Sequence, residues 1–153
     1  MKRSLTLRLI ATLIAGLLAM TNEPSAAATR IKFSDFYIGE TYQAGVGMTP
    51  QLKLSDTVKN LNGKPVEIFG FMDGILPRDG MHFMLLREPS FVCPFHDVSY
   101  DWAGFAAIFL ARPTDYIDGP LRITGRLDVG EKKDEMGLVS YVRIYDAAIA
   151  RAQ

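Results

Sequence analysis

Cys93 is the only cysteine in the chain, and His96, three residues on, is one of only two histidines. A soft thiolate and an imidazole this close form a compact donor pair for a transition metal. Pro94 biases Cys93 toward an extended backbone, so a helix cannot align the two side chains and a tight turn has to converge them. Two ligands are too few for a site of useful affinity, which takes three or four. The other candidates are His82, Asp97, Asp101, Met81 and Met84. His82 is preferred, because its segment leads directly into the Cys93 loop. A set of Cys93, His96, His82 and a carboxylate suits zinc, whereas one completed by the methionines suits copper(I). The plainer alternative is a lone cysteine buried as a small hydrophobe and a loop histidine that caps backbone. Thiol exchange lacks a second cysteine, and haem attachment lacks its Cys-x-x-Cys-His pattern. A Cys93–His96 nucleophile pair would need an oxyanion hole that no motif supplies. The expectation is therefore a protein that is not an enzyme, with no catalytic residue assigned and a thiol-dependent activity as the outlying alternative.

Two further clusters carry charge. Arg122, Arg126, Arg143, Tyr141 and Tyr145 alternate along two C-terminal segments and could form a basic, aromatic platform of the kind on which bases or sugars stack. Such alternation is also what an antiparallel strand shows to water, and that reading is favoured. Asp128, Glu131, Asp134 and Glu135 alternate with Lys132 and Lys133 and lack the Asp-x-Asp-x-Asp-Gly order of a calcium loop, which leaves a solvated turn.

The elements that must position these residues are mostly strands. Ser55 is placed to cap a helix over 56–61, and Asn62-Gly63 to end it. Val66, Ile68, Gly70 and Met72 then alternate with Glu67, Phe69, Phe71 and Asp73, and 77–80 reads as a turn. The returning strand, 81–87, puts His82, Met84 and Leu86 on one face and Met81, Phe83 and Leu85 on the other. Residues 103–111 are apolar on both faces, which predicts a central strand. Leu121 to Val129 has one wet face, 130–137 reads as a charged hairpin loop, and 138–147 as the last strand. Gly70, Gly104 and Gly125 fit the bends of a small closed sheet. The fold class expected is mainly β: a small five-stranded OB-like barrel with one short helix. The domain is expected over 51–153, and 29–50 as a loosely packed arm that lays a few aromatics on it.

Residues 1–28 read as a signal peptide. Lys2, Arg3 and Arg8 precede the apolar run 9–20, and Ala26-Ala27-Ala28 offers a cleavage site. That run is shorter than the roughly 20 apolar residues a bilayer span needs, so the expectation is a soluble periplasmic protein with no membrane insertion after cleavage. The chain has 17 Lys+Arg and 17 Asp+Glu. Loss of Lys2, Arg3, Arg8 and Glu23 with the leader leaves a net charge of −2, which argues against electrostatic capture of nucleic acid. With one cysteine, an exported domain has no internal disulfide.

The segments Leu61–Met72 (LNGKPVEIFGFM), Phe83–Leu86 (FMLL), Cys93–His96 (CPFH), Ile123–Leu127 (ITGRL) and Tyr145–Ala147 (YDA) together resemble the DUF3299 group of small exported bacterial proteins. The resemblance covers roughly residues 54–148. It implies a periplasmic OB-like protein, associated with ABC transporter systems and involved with metals; it implies no catalytic role. Many relatives continue with prolines after the cysteine loop, where this chain has 97–101, DVSYD. Residues and resemblance together lead to the expectation of a periplasmic protein that binds or delivers zinc or copper through Cys93, His96 and His82, beside an ABC transporter or envelope protein partner. The alternative is an interaction module whose cysteine serves only the core.

Overall fold

Apolar residues recur at every second position through four of the strands, and in the computed structural model those positions share one interior. The structure describes residues 27–38, 52–74, 78–89, 102–133 and 139–152. Among the described residues there are six strands: β1 (Thr29–Arg30), β2 (Pro65–Met72), β3 (His82–Leu86), β4 (Phe105–Leu110), β5 (Pro120–Lys133) and β6 (Val139–Arg151). An α-helix, α1, spans Asp56–Asn60.

The sheet runs β1-β2-β3-β4-β6-β5, and β2 also pairs with β5, so that β2 to β6 close into a ring. All the ring pairings are antiparallel except β4 with β6, which is parallel. The expected fold class, mainly β with one short helix, is what the structure has, and the five-stranded ring accords with an OB-like architecture. Inward positions are Val66, Ile68 and Met72 of β2, Phe83 and Leu85 of β3, Ala106, Ile108 and Leu110 of β4, Leu121, Ile123 and Leu127 of β5, and Val142, Ile144 and Ala147 of β6. β4 lies between β3 and β6, the central placement expected from its two apolar faces.

Local signals explain the element ends. Ser55 caps α1 by accepting the Val58 N–H at 3.3 Å, and Gly63, at φ +77°, takes the left-handed conformation that stops the helix. The turn into β3 closes where the Asp79 carboxylate accepts the Met81 N–H at 2.9 Å.

Three expectations need correction. The first part of the arm is firmly packed: β1 pairs parallel with Val66 and Glu67, and Ile31, Phe33 and Phe36 belong to the core. Phe36 is fully buried. The remainder, 39–50, lies outside the described residues, as do residues 1–26 of the expected leader. The hairpin also begins later than charge alone suggested. β5 continues to Lys133, and a register shift between Val129 and Lys132 absorbs Gly130 and Glu131 as a bulge. β6 likewise outruns its expected end and reaches Arg151. The outward side of this longer hairpin is buried at Arg143 and at Tyr141, whose ring meets Tyr37 of the arm edge to face with centroids 6.5 Å apart.

Candidate functional site

Of the three expected metal ligands, the structure describes His82. Cys93 and His96 lie outside the described residues, together with the auxiliary candidates Asp97 and Asp101. The ends of their loop are well defined: Leu86 pairs with Phe105, and the Arg87 N–H donates to the Gly104 carbonyl at 2.8 Å. His82 is paired with Phe109 at the other end of β3. Four residue steps along the strand separate it from Leu86, about 13 Å at 3.3 Å per step.

Alternation turns His82 to the outside of the ring, and its side chain is about half exposed. The imidazole stacks on Phe109, with centroids 6.0 Å apart and planes 25° apart. Phe109 in turn stacks on Tyr145 at 4.7 Å and 18°. Asp79 lies 3.9 Å from His82 Nδ1, too far for a hydrogen bond, so it contributes charge without fixing the ring. Met84 shares the outer face with His82 but is buried, packed with Leu86 and Phe105. Among the described residues no three of His, Cys, Asp and Glu converge as a metal would require.

The residues of the alternative basic and aromatic platform fall into three separate groups. Arg122 lies toward Glu67, 3.7 Å from its carboxylate, beside Arg30, which also pairs with Glu67 at 2.9 Å. Arg143 is buried, with Nε donating to Asp128 at 2.6 Å, Nη1 to the Ser140 carbonyl at 2.5 Å and to its hydroxyl at 3.0 Å, and Nη2 to the Gly130 carbonyl at 2.6 Å. Tyr141 is buried too, its hydroxyl 3.4 Å from Glu131. Burial first, and then the Glu131 carboxylate, push its phenol above the ordinary value. Only Arg126 and Tyr145 remain together outside, joined by Lys132: both cations lie over the Tyr145 ring, at 5.6 and 5.5 Å.

The stacking geometry decides what this surface can do. Rings from neighbouring strands that lie face to face stand on edge above the sheet, and their flat faces are taken up by one another. Tyr145 is covered by Phe109 on one side and approached by Arg126 and Lys132, so it offers no broad face to a base or a sugar ring. The cations are also engaged, Arg126 with Asp146 at 3.0 Å and Lys132 with Asp128 at 2.9 Å. The acidic residues of the hairpin serve the same network: Asp128 holds Arg143 and Lys132, and Asp134 and Glu135 lie outside the described residues.

Phe109, Lys132 and Asp79 were absent from the sequence-based site. The signal for Phe109 was its outward parity in β4, but its meeting with His82 and Tyr145 depends on register and on a bulge. Asp146 sits at φ +54°, and register shifts occur there on both sides of β6, which bring Tyr145 level with Phe109 and Arg126.

No family model matches the chain, and no curated protein matches it. Among solved structures, the crystal structure of a DUF3299 family protein from Pseudomonas aeruginosa PAO1 is similar, with a TM-score of 0.55 and 12% identity over 84% of this chain and 99% of that one. At that identity the likeness is one of architecture. In accord with the resemblance carried by its strand and loop segments, this chain has the fold of a DUF3299 family protein.

Proposed function

We propose that the chain is a non-enzymatic, exported binding domain that takes up a transition metal, zinc or copper(I), through Cys93, His96 and His82 and presents it to a transport partner in the envelope. The observation that carries the reading is the setting of His82. Its ring is steadied against Phe109, its side chain is about half exposed, and it stands on the outer face of the two strands joined by the Cys93 loop. Residues 90–101 number twelve, whereas bridging the 13 Å back to His82 needs about four residues of extended chain. Reach is therefore no obstacle. A thiolate and two imidazoles suit zinc with a fourth oxygen ligand, and they also suit copper(I).

The test is titration of the mature protein with zinc and with copper(I), read by competition with a chromophoric chelator. The expected outcome is one equivalent bound, with proton release as the thiol ionises. Loss of even an outer-shell partner typically costs about 10–100-fold in metal affinity, so removal of a direct ligand in His82→Ala should cost at least about 10-fold, and the Cys93→Ser, His96→Ala double variant about 100-fold or more. Equal affinity in wild type and the double variant would remove the metal reading and leave the interaction module. A loss in the double variant with none in His82→Ala would keep the metal and discard His82 as a ligand.

A further inference from the structure

We draw no further inference here: the strongest candidate, the half-exposed ladder of His82, Phe109 and Tyr145 across the outer face of β3, β4 and β6, uses its ring faces on one another and its flanking Arg126 and Lys132 on Asp146 and Asp128, and nothing in the structure shows what covers it.

Discussion

Arg143 shows how one side chain can turn a vulnerable piece of hairpin into a fixed one. It is 1% exposed, and its guanidinium makes four hydrogen bonds, two of them to the carbonyls of Ser140 and Gly130. Gly130 lies in the bulge of β5, and Ser140 lies on β6 before its pairing with β4 begins. A buried carbonyl without a donor costs about 1–3 kcal/mol, so Arg143 serves the backbone of the hairpin as well as pairing with Asp128. Arg143→Met should lower stability by about 3 kcal/mol in urea unfolding, the low end for breaking a buried pair, because Asp128 retains Lys132. Arg143→Lys should recover little, since one ammonium cannot span the same fork of acceptors. The partner predicts a pH effect. Burial alone would raise the Asp128 carboxyl, but hydrogen bonds and charge from Lys132 and Arg143 outweigh it and hold it below 3.8. The unfolded chain then takes up the proton first on acidification. The stabilisation is fully present above the ordinary carboxylate value and is lost as pH falls through the lowered one. Urea midpoints measured downward from pH 5 should decline less steeply in Asp128→Asn than in wild type; parallel declines would show that Asp128 contributes nothing to the acid limb.

Elements in this fold meet at places where the backbone comes unusually close, and those places separate one glycine from another. A Cβ on Gly125 would lie 2.7 Å from the Tyr145 carbonyl oxygen and 2.6 Å from Ile144 Cγ2, at the bulge that aligns Tyr145 with its ring partners. Gly125→Ala should cost about 1–3 kcal/mol, as overpacking does, and should weaken the Phe109–Tyr145 stack seen in near-ultraviolet circular dichroism. A Cβ on Gly74 would meet nothing within 4 Å among the described residues and its φ is not positive, so Gly74→Ala should be neutral or stabilise by about 0.4–1 kcal/mol. If the two substitutions had equal effects, close approach would not be what Gly125 is for. Ser55 is the joint between arm and ring. It caps α1, its hydroxyl donates to the Asp35 carbonyl, and its N–H reaches the Phe36 carbonyl at 2.9 Å. Ser55→Ala should cost about 1–2 kcal/mol in thermal or urea unfolding. Much of this scale was legible in the sequence. The cap at Ser55, the stop at Gly63, the alternation of β3 and the apolar faces of β4 are local signals that depend on neighbouring residues. The end of β5 was not legible, because Gly130 reads as a turn from sequence and becomes a bulge only when β6 is long enough to continue past it.

At the scale of the molecule, the ring closes by contacts far apart in sequence, and there the reading from sequence reached its limit. Alternating apolar residues imply strands but leave open which outward residues will be enclosed. Arg143 and Tyr141 therefore read as wet although both are buried, and His82 was joined to the Cys93 loop by adjacency in sequence rather than by distance. The arm was misjudged for the same reason. Its aromatics follow no strand or helix period, yet Ile31, Phe33 and Phe36 enter the core once β1 lies along β2. Cleavage after Ala28 would leave Thr29, the first residue of β1, as the new N-terminus, so the expected leader could be removed without loss of a paired residue. A chain starting at Thr29 should fold cooperatively with the stability of the longer chain. A chain starting at residue 39 would lose three buried apolar side chains, each worth about 1.5–3 kcal/mol. It would also lose the Asp35 and Phe36 carbonyls to which Ser55 is bonded. That loss is on the order of the whole stability of a domain this size, about 5–15 kcal/mol, so the shorter chain should show no cooperative thermal transition by circular dichroism. A sharp transition at the midpoint of the longer chain would mean that β2 to β6 suffice and that the arm only covers a core already complete.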